Sequence, residues 1–79
     1  MPKKIILYTT PICVYCRMAK SFFGVRGISY EEKDVSRDLA AREEMVRKSG
    51  AKVVPVIDID GELLVGYHRE RLLEIFRNA

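Results

Sequence analysis

The chain has 79 residues, of which 48% are hydrophobic, and its net charge is +3, from 14 lysines and arginines against 11 aspartates and glutamates. This composition predicts one small globular domain over residues 1–79 and argues against disorder. The opposite charges are interleaved, and no basic stripe carries interspersed aromatic residues, so nucleic-acid binding is not expected.

The N-terminal segment also limits the possible locations of the protein. After Met1 to Lys4 it offers only about five apolar residues, whereas the apolar region of a signal peptide needs roughly 7–15. No run approaches the roughly 20 apolar residues of a membrane span, so no membrane partner is expected. We therefore expect a cytoplasmic protein whose cysteines are kept largely reduced.

The first half of the chain alternates strand and helix signals. Residues 4–9 hold a continuous apolar run of the kind found in a sheet covered on both faces. From Cys13 to about Val25, apolar residues recur at i,i+4 spacing, which predicts a helix. Residues 28–35 are typical of a more polar strand at a sheet edge. The predicted apolar face of the helix consists of Val14, Tyr15, Met18, Ala19, Phe22 and Phe23.

A second helix is predicted between the start residues Ser36 and Asp38 and the stop residue Gly50. Its apolar face is weak, because few large apolar residues recur at helical spacing. This face consists of Leu39, Ala40, Met45 and Val46.

The last third of the chain predicts a hairpin and a terminal helix. Residues 55–59 and 62–65 are strand-like, and Asp60-Gly61 between them is a strong signal for a tight turn. Residues 69–77 predict a helix. Its expected buried residues are Leu72, Leu73 and Phe76.

The resulting order is β-α-β-α-β-β-α. The first β-α-β unit requires a parallel pair with a right-handed crossover, and the hairpin adds an antiparallel pair. We therefore predict an α/β fold with a mixed four-stranded sheet and helices on both faces.

The chain has two cysteines, Cys13 and Cys16, and both lie where the first strand passes into the first helix. The first turn of a helix has backbone N–H groups without partners, and the macrodipole adds roughly half a positive charge. Both effects stabilise a Cys13 thiolate, the species that attacks disulfides. The spacing and position indicate a thiol–disulfide redox site.

Three other interpretations of the pair stay open. A zinc site normally needs four ligands, and His68 is the only other soft candidate. A static structural disulfide would close a very short loop, where its entropic benefit is small. The two thiols could also be incidental buried residues.

Residues 8–16, Tyr-Thr-Thr-Pro-Ile-Cys-Val-Tyr-Cys, followed by Val-Val-Pro at 53–55 and the hairpin, resemble the glutaredoxins of the thioredoxin superfamily. The resemblance covers essentially the whole chain and implies a thioredoxin fold. Val14 stands where glutaredoxins most often have proline, which is more similar to the small glutaredoxin-like electron donors of ribonucleotide reductase.

The resemblance also implies residue roles. Cys13 would be the nucleophile, Cys16 the resolving thiol, and Pro55 the family's cis-proline. Val54 would then turn its backbone N–H and C=O toward a cysteine-containing substrate segment, which would bind like an added strand. Tyr15 would either pack beside the bound disulfide or only line the helix surface.

The segment from Gly66 to Arg69 departs from the family pattern of two glycines, a small residue and two aspartates. Tyr67 and His68 border the place where glutathione would lie, and each could equally be a capping or surface residue. Thr10 replaces a lysine that helps to hold glutathione in many glutaredoxins. Arg17 would either compensate in part or remain a solvated surface charge.

These inferences together predict a monomeric thiol–disulfide oxidoreductase that reduces protein or glutathione-mixed disulfides through a Cys13/Cys16 dithiol cycle. No bound cofactor or metal is expected. The implied electron donor is glutathione or a flavoprotein of the thioredoxin-reductase type, and ribonucleotide reductase is an implied partner. The alternatives are an iron–sulfur carrier that pairs two copies of Cys13 with two glutathiones, and a redox-inactive docking module.

Overall fold

The computed structural model of the protein describes residues 3–77. Met1 and Pro2, the start of the segment considered for a signal peptide, lie outside the described residues, as do Asn78 and Ala79 at the other end of the predicted domain. The elements in chain order are β1 (Ile5–Thr9), α1 (Val14–Val25), β2 (Glu31–Asp34), α2 (Leu39–Ser49), β3 (Val56–Ile59), β4 (Glu62–Val65) and α3 (Arg69–Ile75).

The four strands form one mixed sheet in the order β2-β1-β3-β4. Strand β1 pairs with β2 in parallel, and the β1–β3 and β3–β4 pairs are antiparallel. The predicted element order and the position of β2 at a sheet edge are therefore confirmed. No helix within residues 3–77 is long and apolar enough to cross a membrane.

Alternating side chains of β1 divide the core into two layers. Ile5 and Leu7 pack with α1 and α3 on one face of the sheet, and Ile6 and Tyr8 pack with α2 on the other. The α1/α3 layer also contains Ala19, Phe22, Phe23, Ile57, Ile59, Leu64, Leu72 and Phe76. Because β1 is buried along its whole length, its two apolar faces hold the helical layers together.

The predicted apolar face of α1 is wrong at three positions. Val14, Tyr15 and Met18 are exposed. The residues that α1 buries are Cys16, Ala19, Phe22 and Phe23. Cys16, which the predicted face did not include, is buried with Ala19 and Phe23, so the face that packs on the sheet is rotated around the helix from the predicted one.

The two other helices differ from prediction in similar ways. Leu39 is 68% exposed, and the residues that α2 buries are Ala41 and Met45. Leu73 is 37% exposed, whereas Leu72 and Phe76 are buried as predicted. Helix α3 ends at Ile75, two residues before the predicted end. Strand β2 has four residues, whereas residues 28–35 were predicted as a strand.

The predicted helix start and turn signals at three positions are confirmed. The Asp38 carboxylate accepts a hydrogen bond from the Ala41 N–H at 3.0 Å and caps α2. Asp60 and Gly61 both have positive φ, +51° and +96°, as the tight turn between β3 and β4 requires.

A charged network lies between α2 and the sheet. The hydroxyl of the fully buried Tyr8 donates a hydrogen bond to Glu44 and accepts one from Lys48 at 2.9 Å. Lys33 donates to the same Glu44 carboxylate at 2.9 Å, and Lys48 forms an ion pair with the buried Asp58. Hydrogen bonds from Tyr8 and then Lys33 lower the pKa of Glu44 from 4.5 to about 2.

We expect this network to make stability depend on pH below about 5. A carboxyl whose pKa is depressed by folding stabilises the folded state above its unfolded pKa, and the contribution disappears as pH falls through the folded pKa. Glu44→Gln should therefore lower the free energy of unfolding near neutral pH, and its difference from the parent should shrink between about pH 4.5 and about pH 2.

Urea denaturation at a series of pH values measures this difference. The matched control is Glu43→Gln, since Glu43 is exposed and makes no salt bridge within residues 3–77. An equal, pH-independent loss in both variants would contradict the prediction.

Candidate active site

Cys13 is the N-cap residue of α1. Its sulfur accepts a hydrogen bond from the backbone N–H of Cys16 at 3.3 Å, and its own carbonyl accepts the bond from the Arg17 N–H at 3.2 Å. Cap residues normally present an oxygen to these free N–H groups, so a sulfur here is held against the positive end of the helix. The Cys13 sulfur is thus fixed at the open end of α1 by the helix's own backbone.

Cys16 lies behind Cys13 and is fully buried. Burial is the main cause that raises the pKa of the Cys16 thiol, followed by its hydrogen bond with Cys13. The Thr9 side chain and the Thr10 backbone act in the opposite direction and lower the pKa of Cys16, while the Thr9 hydroxyl donates a hydrogen bond to the Thr10 carbonyl at 3.3 Å. The two thiols therefore differ in access and environment, and both are free thiols in this structure.

The Val54–Pro55 peptide bond is cis, as predicted. The carbonyl of Val54 faces the site, where it accepts a hydrogen bond from the Cys13 thiol at 3.8 Å. Within residues 3–77, the N–H of Val54 makes no hydrogen bond. An extended segment lying against Val54 therefore has both a donor and an acceptor available to it.

The segment that follows β4 is hydrogen-bonded to the loop that contains the cis-proline Pro55. The Gly66 N–H donates to the carbonyl of Pro55 at 2.7 Å. Gly66 has a φ of +93°, and the His68 ring lies 3.4 Å from the place where a Cβ would stand. Gly66 is therefore a position that favours glycine because of its backbone conformation, whereas a Cβ would meet the ring at an ordinary van der Waals distance.

His68 and Tyr67 are less available than the sequence suggested. The His68 ring turns back and donates a hydrogen bond from Nε2 to the Val65 carbonyl at 2.6 Å, and it makes no capping bond to α3. Tyr67 is partly buried against the α1/α3 core layer. The structure thus brings Cys13, Cys16, Val54, Pro55 and Gly66 together, while Tyr67 and His68 lie beside them with contacts of their own.

An exposed apolar rim surrounds the half-buried Cys13. Ile12 is 87% exposed and Val53 is 56% exposed, and Val14 and Tyr15 on the first turn of α1 are also mostly exposed. Tyr15, which could have lined the helix surface alone, belongs to this rim. Large apolar side chains that cluster on a surface typically mark a contact with another molecule.

Sequence reasoning missed Thr9 and the rim residues Ile12 and Val53. The signal for Thr9 was a polar residue that ends an apolar strand just before the cysteines, at a position that proves to be 1% exposed. Within residues 3–77, no group of three or more His, Cys, Asp and Glu side chains is arranged to hold a metal ion. The arrangement can form and break a disulfide between Cys13 and a second sulfur.

Comparisons with known proteins agree with this geometry. The sequence model of the family described as Glutaredoxin matches residues 5–64. The chain is 35% identical over 68 residues to a Clostridium pasteurianum protein described as an uncharacterized glutaredoxin-like 8.6 kDa protein in the rubredoxin operon, which covers 86% of this chain and 91% of that protein. It is 38% identical over 60 residues to glutaredoxin 3 of Escherichia coli K12, covering 76% of this chain and 72% of that protein.

The fold is likewise similar to solved structures. The crystal structure of the thioredoxin-like protein BC3987 superposes with a TM-score of 0.87 at 36% identity, covering 91% of this chain and 99% of that one. The mixed sheet with three helices is thus a thioredoxin-like fold. The chain belongs to the glutaredoxin family, and this membership supports a function of the thiol–disulfide oxidoreductase type.

Proposed function

We propose that the protein reduces disulfides of protein substrates through a dithiol cycle of Cys13 and Cys16. One observation carries the proposal. The Cys13 sulfur lies between the Cys16 N–H at 3.3 Å and the Val54 carbonyl at 3.8 Å, with the second thiol buried directly behind it. The first thiol is therefore accessible to a substrate, and the second is protected until the first has reacted.

The cycle consists of two exchanges. The Cys13 thiolate attacks one sulfur of the substrate disulfide, which forms a mixed disulfide and releases the other substrate sulfur as a thiolate. Cys16 then gives up its proton and attacks the Cys13 sulfur, which releases the second substrate thiolate. The substrate gains two electrons and, once its thiolates are protonated, two protons, and the protein is left with a Cys13–Cys16 disulfide.

The surroundings of Cys13 support a protein segment as substrate. The free N–H and the carbonyl of Val54 match the hydrogen-bonding groups of an extended peptide. The apolar rim of Ile12, Val14, Tyr15 and Val53 offers contacts to side chains next to the substrate cysteine. A small thiol compound would leave most of this rim in water, so the rim adds affinity mainly for larger partners.

Because Cys16 is buried, its thiol ionises less readily, and the second exchange needs a neighbouring group that stabilises the thiolate. Its thiol must lose a proton in a site that disfavours charge, and the neighbouring Thr9 side chain lowers the pKa of this thiol. In the reduced protein the Thr9 hydroxyl donates its hydrogen bond to the Thr10 carbonyl at 3.3 Å, and we propose that it turns to the Cys16 sulfur when that thiol ionises. Thr9 is itself 1% exposed, so water cannot easily replace this donor. Thr9 is thus a positioning residue for the resolving thiolate.

We propose a flavoprotein of the thioredoxin-reductase type, rather than glutathione, as the preferred electron donor. His68 and Arg69 stand where the resemblance places an aspartate pair that holds the ammonium of glutathione. The His68 ring is bonded to Val65, and Arg69 would repel an ammonium group. Weaker glutathione binding also disfavours the alternative of a glutathione-dependent iron–sulfur carrier.

The two cysteines should respond differently to substitution. Cys16→Ser should stop the cycle after the first exchange and accumulate a mixed disulfide, whereas Cys13→Ser should abolish reduction because the buried thiol cannot reach the substrate. Mass spectrometry after incubation with a disulfide-containing protein measures the adduct. An adduct on Cys16 in the Cys13→Ser variant would contradict the assigned roles.

Removal of the Thr9 hydroxyl should make Cys16 harder to ionise. In a Cys13→Ala background, Thr9→Val should raise the pKa of Cys16 relative to its parent, because the Thr9 side chain lowers that pKa in the parent. Thiolate absorbance as a function of pH measures the change. Thr10→Val is the matched control, because Thr10 acts on Cys16 through its backbone and not through its side chain. An equal shift of the Cys16 pKa in both variants would rule out the proposed role of the Thr9 hydroxyl.

The donor preference is tested by restoring the family's acidic pair. The triple variant Tyr67→Ser, His68→Asp, Arg69→Asp should raise glutathione-dependent turnover several-fold, because carboxylates replace a cation opposite the ammonium. Turnover of the parent is compared in two coupled assays that oxidise NADPH, one with glutathione and its reductase and one with thioredoxin reductase. The preference is wrong if the parent already turns over faster with glutathione.

A further inference from the structure

The three chain segments that form the site carry positive charges and no negative ones. Residues 10–17, 52–55 and 66–69 contain Arg17, Lys52 and Arg69 but no aspartate or glutamate. The chain as a whole has 11 acidic residues, so their absence from all three segments is a local feature of the site. The three cations form no continuous basic stripe in the sequence, because the segments that carry them are far apart along the chain.

Seven of the 11 acidic side chains form ion pairs elsewhere in the molecule. These pairs lie along β2, beneath α2 and between β4 and α3, and they are Lys20–Glu32, Lys33–Glu31, Lys33–Glu44, Arg37–Asp34, Lys48–Asp58, Arg71–Glu62 and Arg71–Glu74. By contrast, Arg17, Lys52 and Arg69 form no salt bridge with any residue from 3 to 77. The charge near Cys13 is thus not cancelled by its neighbours.

A groove of about 380 Å³ opens beside Val54 on the α2 side of the sheet. Arg42 of α2 and Lys52 of the following loop line it, and both are exposed. Val35 and Met45 provide apolar surface, and no acidic residue contributes to the lining. A carboxylate entering this groove would meet two cations next to the backbone edge that faces Cys13.

A second groove, of about 320 Å³, lies on the other face of the sheet between α1 and the start of α3. Arg26 and Arg69 line it, again with no acidic residue. The Arg26 guanidinium lies over the Phe22 ring at 4.4 Å, which holds this cation at the groove wall. Met18, in the same lining, continues the apolar rim one helical turn beyond Val14.

We propose that the site selects acidic protein segments, with carboxylates on both sides of the substrate cysteine. The proposal rests on the disulfide-reducing function given above and specifies its substrate class. The first groove includes Thr10 and Val54 beside Cys13, and the second includes Met18 of the helix that Cys13 caps, so an extended segment crossing Val54 can direct acidic residues toward either groove. Because the grooves belong to opposite faces of the sheet, a small anionic thiol would engage only one of them.

The physical consequence is electrostatic steering. Uncancelled charges of one sign around a site raise the rate of encounter with oppositely charged partners, and added salt suppresses this effect. The selection should therefore act on kcat/KM and should weaken as ionic strength rises.

The test compares three peptides with the same intramolecular disulfide and the same adjacent apolar residues, flanked by aspartate, serine or lysine. At about 20 mM salt, kcat/KM should be about 10-fold higher for the aspartate peptide than for the serine peptide, and lowest for the lysine peptide. At about 500 mM salt the first difference should fall below about twofold.

Charge-reversal variants test which cations cause the preference for the aspartate peptide. Lys52→Glu and Arg69→Glu should each lower the aspartate-to-serine ratio several-fold, and the double variant should abolish the preference. Lys4→Glu changes the net charge by the same amount at the opposite end of β1 and should keep the ratio. Circular dichroism of each variant verifies folding.

Several outcomes would overturn the proposal. Equal kcat/KM for the three peptides would refute the acidic preference while leaving the disulfide-reducing function intact. An equal loss of the ratio in Lys4→Glu would mean that only net charge matters. Reduction of none of the peptides would refute both the preference and the function.

Discussion

The sulfur of Cys13 accepts the hydrogen bond that begins α1, and the rest of the site is arranged around this contact. Helix α2 fulfils the same requirement with the carboxylate of Asp38, at 3.0 Å, whereas α1 uses a sulfur at 3.3 Å. The reactive atom is therefore positioned by the helix's need for a cap and not by the conformation of a free loop. Because β1 ends at Thr9 and is buried throughout, the turn that carries Cys13 is anchored in the core.

The arrangement of the strands also determines which charged side chains form ion pairs. Strand register brings the β2 and β3 charges next to α2, where they pair with Glu44 and Lys48, and Arg71 of α3 holds the β4 residue Glu62. With the other ion pairs of these elements, they use seven of the 11 acidic side chains. Within residues 3–77, Arg17, Lys52 and Arg69 form no such pair, so positive charge stays unpaired in the segments around Cys13.

The fold could be predicted from the sequence because its signals are local. The apolar run of β1, the cap at Asp38, the turn at Asp60-Gly61 and the cysteine pair each depend on a few neighbouring residues. The exposed positions of Val14, Tyr15 and Met18 could not be predicted in this way, because periodicity defines an apolar face but not whether the sheet covers it. Which side of α1 is buried depends on residues that lie far away in the chain.

Contacts between residues that are far apart in the chain could not be predicted from local sequence patterns either. Tyr8 and Glu44 are 36 positions apart, and Cys13 and Val54 are 41 apart, so neither contact leaves a pattern in the sequence. For the second contact, the resemblance to glutaredoxins predicted only that the Val54 backbone faces the substrate segment, and the Val54 carbonyl lies 3.8 Å from the Cys13 sulfur. The resemblance could not supply the first, which depends on side chains particular to this chain.

The position of Cys13 at the start of α1, beside a single exposed apolar rim, has a consequence for the order of events. In the proposed cycle, substrate and electron donor both react at this sulfur and approach it over the same rim, so they would not be bound together. They would follow a ping-pong sequence, each acting as a competitor of the other. The protein would then work as a two-electron shuttle that leaves one partner before it meets the next, and the balance of oxidised and reduced molecules would report which encounter is slower.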